Sequence, residues 1–468
     1  LLVLGFASSL WAGPWSLIAG WQGFSVLDLA TSPITQVGFF KVPPPVQLFD
    51  VEPYPNNCSA LFSSFDTGIV FRFDTTDPAH PFQSGALDLS TILFAPLDMA
   101  IPEEGGFAVA GEGEDLNRLD GRLVLIDLTD PDFESYSVYR LRTQRAAADA
   151  VAVTPDGRTV IICDSFFDRI IFGRVNASKS GLESESILPT ASLPINVAIS
   201  PDGRTALVTD LYGARLSVFR IDGPGVVVPG SPPECFAHWY PQSVAFSADG
   251  SKAYVYSTSY NDLSDKFSWY SIDGPGRVGA PSSNRLNLMT QTGIAYFGVD
   301  FVAITPDGSE AIVGGWGVGY NIVFLNAWSA GENGLTGNQG PIGVAMLDAA
   351  FVYAPAEPTC TRLVNDFIFY KEYINRLTWG PNPKNLGVQV TVRIYRKPLG
   401  ASDSAFELLG EFDGAVTSFD DRGLRKDQDF VYRFTSVLAT GVESPPFDLP
   451  SSEPDSRGKA LEHRNEKK

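Results

Sequence analysis

One seven-residue unit constrains this chain more than anything else in it. It reads Val151-Ala-Val-Thr-Pro-Asp-Gly157, Val197-Ala-Ile-Ser-Pro-Asp-Gly203, Val244-Ala-Phe-Ser-Ala-Asp-Gly250 and Val302-Ala-Ile-Thr-Pro-Asp-Gly308. Each copy is a short apolar strand followed by a turn in which glycine tolerates positive φ. A second apolar strand follows each turn: Thr159–Cys163, Thr205–Thr209, Lys252–Tyr256 and Glu310–Val313. The unit is therefore a hairpin, repeated. A second marker, an apolar pair closed by Asp or Asn, recurs at Asp28, Asp74, Asp127, Asn176, Asp222, Asp273 and Asn326. Its steps are 46, 53, 49, 46, 51 and 53 residues, which makes seven units.

A repeat of that length with about four short strands fits a propeller blade and lacks the 3.6-residue periodicity of helical arrays. One blade cannot bury both faces, so neighbours must stack in a closed ring. Gly343-Val-Ala-Met-Leu347 has the pattern of an innermost strand with no hairpin partner after it, and it can complete the blade begun by Trp15–Asp28. The expected fold class is all-β: a seven-bladed β-propeller over residues 13–350, a linker at 351–358, an immunoglobulin-like β-sandwich at 359–450 and a disordered tail at 451–468. Residues 1–12 read either as the end of a signal peptide or as a first strand.

The Val-Ala-x-Ser/Thr-Pro-Asp-Gly units resemble the YVTN-type, lactonase-like seven-bladed propellers. After residue 358, Trp379 on an early strand, Ile394-Tyr-Arg396 and Tyr432 in Val431-Tyr-Arg-Phe434 resemble a bacterial fibronectin type III module. The first resemblance implies that hydrolysis of a lactone at the channel mouth is conceivable. No catalytic motif matches that family residue by residue.

Composition narrows the function classes. The net charge of −20, from 34 basic and 54 acidic residues, opposes nucleic-acid binding. Three histidines, His80, His238 and His463, are too few for a multi-histidine metal centre. Of the four cysteines, Cys163 reads as a buried thiol, Cys58 and Cys235 lie near polar loops where a pair is conceivable, and none has metal-ligand spacing. No stretch approaches the ~20 apolar residues of a membrane span. The expectation is a secreted or cell-surface protein, bacterial and monomeric.

Candidate chemistry follows from the repeat used as a ruler. At the starts of the innermost strands stand Asp50, Asp98, Asp149, Asn196, Gln242 with Ser243, and Asp300. Residues from six blades would converge on one ring. Two readings stand: polar ties between neighbouring blades, or an oxygen-rich cation site suited to Ca²⁺. Aromatic loops share the same mouth and include Trp21, Phe65-Asp66, Phe166-Phe167, Tyr212, Trp239, Tyr260, Trp316 and Tyr320. Of these, Trp21, Asp66, Tyr212, Trp239, Tyr260 and Trp316 are the candidate contacts for a carbohydrate, peptide or small molecule. The aspartates of the Pro-Asp-Gly turns (Asp156, Asp202, Asp249, Asp307) recur and so belong to architecture. Glu112–Gly121 reads as an acidic surface loop. The leading expectation is a non-catalytic binding or adhesion protein, and the alternative is a metal-assisted lactonase-like hydrolase.

Overall fold

The structure is a computed structural model. It describes residues 15–451 apart from 21, 30–34, 65, 78–79, 93–95, 113–120, 144, 259–263, 283–285, 290–299, 306–307, 316–318, 326–328, 335–340, 348–354, 367–370, 383–384, 386–388, 427, 439–442 and 445. The possible leader at 1–12 and the tail beyond Ser451 lie outside the described residues. Two compact units divide the chain, Leu1–Ala350 and Phe351–Lys468.

The first unit is a β-propeller. Its described residues form seven antiparallel sheets, six of four strands and one of five. In blade 4, for example, Ala150–Val153, Thr159–Asp164, Arg169–Val175 and Leu182–Pro189 run from the channel outward. The Pro-Asp-Gly turns join the first two strands. Gly157, Gly203, Gly250 and Gly308 have φ between +67° and +69°, the left-handed conformation that a Cβ disfavours. Asp156, Asp202 and Asp249 each accept from the Ser or Thr two residues earlier, at 2.5–2.6 Å. Those acids serve turns, and Asp307 lies outside the described residues.

The latch forms as the sequence pattern suggests. Pro341–Leu347 pairs antiparallel with Trp15–Gly20, with Val344 opposite Ile18, so one blade is built from both ends of the unit. The innermost strands then touch in a complete cycle. Packing between blades follows the same cycle. Val151 and Val160 of blade 4 bury against Val109 and Leu123 of blade 3, while Ala152 and Ile161 face Val197 and Ala206 of blade 5. Phe301 and Ile312 of blade 7 bury against Ile18 and Leu27 of blade 1. Strand alternation explains this division: successive side chains serve opposite neighbours.

The second unit is a sandwich of two sheets. One has the order Ala356–Asp366, Lys371–Gly380, Ser418–Leu424; the other has Glu407–Asp413, Val390–Pro398, Phe430–Leu438, Phe447–Pro450. Trp379, Ile394, Tyr432 and Phe434 form its core. The first strand begins at Ala356, inside the segment 351–358 expected to be linker. None of the four cysteines forms a disulfide, so Cys58 and Cys235 do not pair: Cys58 precedes the strand Ser59–Ser64 of blade 2, and Cys235 lies near the end of Val226–Phe236 of blade 5.

Candidate functional site at the channel mouth

In each blade the start of the innermost strand lies beside the turn between the second and third strands. Asp149 shows this directly, since it accepts from both the backbone N–H and the hydroxyl of Ser165 in that turn, at 3.1 and 2.5 Å. One face of the ring therefore collects the inner-strand starts and the aromatic turns.

The polar ring expected there divides in two. Asp50 accepts from Met99 N–H of the next blade at 2.9 Å, and Asp98 accepts from Val151 N–H at 2.7 Å. Asn196 accepts from Val244 N–H at 3.1 Å, and the Ser243 hydroxyl accepts from Val302 N–H at 3.3 Å. The donor is always the residue of the Val-Ala position, and the acceptor stands just before that position in the preceding blade. These four side chains tie consecutive inner strands. Asp149 stands one residue earlier, because Ala150 holds the tie position in blade 4 and Phe301 holds it in blade 7. A shift of one residue along a strand sends a side chain to the other face. Asp149 therefore turns into its own blade, and Asp300 shares that offset register; its side chain lies outside the described residues. Gln242 has the offset register too and donates to Thr258 at 3.0 Å.

This geometry bears on the cation reading. Asp50, Asp98 and Asn196 already spend an oxygen on a neighbour's N–H. Among the described residues, no three Asp, Glu, His or Cys are spaced to hold a metal ion. The described donor set does not fit Ca²⁺, which takes six to eight oxygens around one point.

A residue missed in the sequence stands in the middle of the site. Counting one place past the Val position gives Ala100, Ala152, Ala198, Ala245, Ala303 and Ala345 in six blades. In blade 2 it gives Glu52. Glu52 is two residues from Asp50 on the strand Leu48–Pro53, so both side chains leave the same face, toward blade 3 and Asp98. Aligning the blades on the Val-Ala pair instead of the turn would have revealed it.

All three carboxyl groups have raised proton affinity. Each keeps some contact with solvent, but protein encloses them at the centre of the ring. Burial pushes Asp50 up to about 7, against the opposing N–H groups of Met99 and Val51. Burial and then the charges of Asp50 and Asp98 hold Glu52 well above the usual carboxylate range. Asp98 is raised by burial first and Asp50 second. Near neutrality the cluster carries protons.

More acids sit at the ends of the second strands: Glu112, Asp164 and Asp210, opposite the inner-strand starts. Glu112, expected in a surface loop, is 2% exposed and lies 3.7 Å from Arg122. Asp164 is bridged by Arg169 at 2.7 Å. Asp210 is raised to about 7 by burial, although Ser217 donates to it at 2.7 Å. Burial drives the Cys163 thiol upward, and the charges of Asp210, Asp149, Asp98 and Asp164 add to it.

The rim is aromatic in part. Tyr212 is 62% exposed and Trp239 58%. Tyr212 meets Tyr240 edge to face at 6.2 Å, and Phe166 and Phe167 are exposed in the blade 4 turn, where Arg169 covers Phe167. Asp66 is exposed in the blade 2 turn. Trp21, Phe65, Tyr260 and Trp316 lie outside the described residues, as does the side chain of Tyr320.

Fold and mouth together define a β-propeller with an acidic channel. No protein-family model and no curated protein matches the chain. Solved structures do resemble it. The periplasmic gluconolactonase of Pseudomonas aeruginosa is similar at a TM-score of 0.57 and 13% identity, over 72% of this chain and 99% of that one. A 6-phosphogluconolactonase, so named provisionally, from Bacteroides fragilis gives 0.56 and 13%, over 73% and 100%. A functionally unknown protein from Desulfotomaculum acetoxidans gives 0.55 and 13%, over 71% and 99%. At this identity the likeness establishes the propeller fold. Among the described residues, no helix is long and apolar enough to cross a membrane.

Proposed function

We propose that the propeller hydrolyses a lactone-type ester, with Asp50, Glu52 and Asp98 as its acid–base groups. One observation carries this reading: three carboxyl groups with raised proton affinity meet at the junction of blades 2 and 3, where Glu52 replaces an alanine. The structural likeness to proteins named as lactonases supports it.

The chemistry needs one ionised and one neutral acid. Asp50, poised near 7, takes a proton from water as the water oxygen bonds to the ester carbonyl carbon. Glu52, neutral and longer, gives its proton to the ring oxygen as the acyl–oxygen bond breaks. The product is the open hydroxy acid. A proton moved from Asp50 back to Glu52 restores both groups, which close coupling favours. Asp98 raises the proton affinity of Glu52 and ties blade 3 to the inner strand of blade 4 through Val151 N–H.

The test is turnover of a panel of five- and six-membered lactones, with and without sugar hydroxyls, against Glu52→Gln and Asp50→Asn. Hydrolysis above background that falls by roughly 10² or more in both variants supports the reading. No turnover across the panel, or variants as active as the parent, sinks it. A chelator arm checks the cation reading, which needs Asp300 besides the described donors; it predicts loss of rate on metal removal.

The exposed rim favours a second reading, that of a ligand-binding face. Tyr212 and Trp239, with Asp66, Trp21, Tyr260 and Trp316, would hold a carbohydrate, peptide or small molecule at the mouth. We also infer that the sandwich is a fibronectin type III-like module, on the strength of its three-plus-four strand order and Tyr432. Such modular architecture fits a secreted or cell-surface protein.

A further inference from the structure

The blade 5 side of the mouth carries a patch that the inner ring does not use. Tyr212 lies in the turn 211–214, and Trp239 lies in the segment that crosses to blade 6 after Phe236. Ala237 N–H donates to Ala214 O at 3.0 Å and joins the two. Tyr212 is 62% exposed, Trp239 58% and Phe236 49%. Single exposed rings are ordinary, but several in one place mark an interaction surface.

Equivalent positions in blades 4 and 5 show what such rings take up. Arg169 and Arg215 each open the third strand, opposite Asp164 and Asp210. Arg169 covers Phe167 at 4.6 Å, and Arg215 covers Phe236 at 6.0 Å. Counted back from those arginines, Tyr212 matches Phe166, and Gly213 stands where blade 4 has Phe167. With no ring there, Arg215 turns to the outer strand, where Glu234 lies 3.7 Å from it. Among the described residues, no cation covers Tyr212 or Trp239.

A carboxylate stands beside the rings. Asp168 is exposed at the end of the blade 4 turn. One of its oxygens accepts from Leu193 N–H at 2.7 Å, and Leu193 O accepts from Leu211 N–H at 2.9 Å, which sets Asp168 next to the Tyr212 turn. Among the described residues no cation bridges Asp168, and a carboxylate has about four acceptor sites. Arg215 and Glu234 offset each other. Residues 1–350 hold 18 basic and 37 acidic side chains, so their field attracts cations. A planar guanidinium satisfies both features, because it stacks on an aromatic face and bonds a carboxylate through its edge.

We propose that the blade 5 rim docks an arginine-bearing peptide segment of a partner protein, with the guanidinium stacked on Tyr212 and bonded to Asp168, and Trp239 covering the neighbouring peptide residues. This rests on the reading of the rim as a ligand-binding face and is independent of lactone hydrolysis.

The full chain is titrated with a fluorescent peptide of alternating arginine and glycine and with its lysine counterpart, at low and high salt. Neutral oligosaccharides form a third arm. The arginine peptide should bind at low salt, weaken at high salt, and exceed the lysine peptide by roughly threefold or more. Tyr212→Ala, Trp239→Ala and Asp168→Asn should each weaken it by a similar factor, while Tyr212→Phe keeps the ring and the affinity. Asn at position 168 retains an acceptor for Leu193 and tolerates the left-handed backbone there, so the loop holds. Asp132→Asn removes a charge from the exposed turn between the third and fourth strands of blade 3, away from the mouth, and should leave binding unchanged. Equal binding of both peptides, or an equal loss in Asp132→Asn, reduces the effect to net charge and overturns the proposal. Saccharide binding that Tyr212→Ala abolishes, without peptide binding, overturns it and leaves the rim a ligand face. Absence of every ligand overturns both.

Discussion

Asp421 in the sandwich and the Asp50–Glu52–Asp98 group in the propeller are enclosed carboxylates held in opposite ways. In the sandwich, Asp421 is 5% exposed and fully matched. Arg396 Nη1 donates to its two oxygens at 2.9 and 3.0 Å, and the Tyr432 hydroxyl donates at 2.6 Å. Asn375 donates to that hydroxyl at 2.7 Å and accepts from Arg362 at 2.9 Å. In the propeller, Asp50 and Asp98 are held by neutral backbone N–H groups and crowd against Glu52. A buried acid clasped by a guanidinium and a hydroxyl fixes architecture. A buried acid beside other acids holds its proton and can exchange it, which is what acid–base catalysis needs.

That contrast can be broken most sharply in the sandwich. Arg396→Met leaves Asp421 without its cation and should cost the sandwich about 3–5 kcal/mol. Denaturation followed by hydrogen exchange should show the loss in the strands Val390–Pro398 and Ser418–Leu424 and leave the blades protected. A cost under about 1 kcal/mol would mean the pair is not structural.

In the propeller the matching change should act on rate and not on folding. Glu52→Ala restores the residue of the other six blades, so the melting temperature should hold or rise. Lactone turnover should fall by roughly 10² or more, equivalent to about 2.7 kcal/mol. An unfolded variant, or unchanged turnover, would contradict the division of roles.

Asp98 separates tie from acid. Asp98→Ala orphans Val151 N–H and should cost about 1–3 kcal/mol. Asp98→Asn keeps an acceptor, as Asn196 does for Val244, and should cost less than half as much. Equal losses in a thermal melt would show that charge, and not the tie, matters at this position.

The smallest effect is on pH. The native Asp50 binds its proton up to about 7, while an unfolded aspartate releases it near 4. Between those values the native state holds more protons, so stability falls as pH rises toward 7 and then levels. The melting temperature should drop by roughly a few degrees between pH 5 and pH 8. Asp50→Asn should flatten that slope. A stability that climbs through this window would overturn the assignment.

Much of this was legible in the chain itself. The Val-Ala-x-Ser/Thr-Pro-Asp-Gly unit determined the hairpin, because only such a turn needs glycine at positive φ after a short apolar strand. The seven markers determined the number of sheets, and the unpartnered Gly343–Leu347 pattern pointed to the latch. The site was half legible. Counting from the turns grouped Asp50, Asp98 and Asn196, which stand just before the Val-Ala position, with Asp149 and Asp300, which stand one residue earlier.

Only the tertiary structure could separate them. Side chains alternate along a strand, so one residue of offset, invisible to a count from a turn, decides which neighbour a carboxylate faces. Proton affinity is likewise a property of position. Asp50 and Asp249 are the same residue, but burial lifts one to about 7 while Ser247 and Ser251 hold the exposed one down to about 2. The sequence by itself determined where acids stand along the chain. Closure of the ring decided which of them are brought together and enclosed.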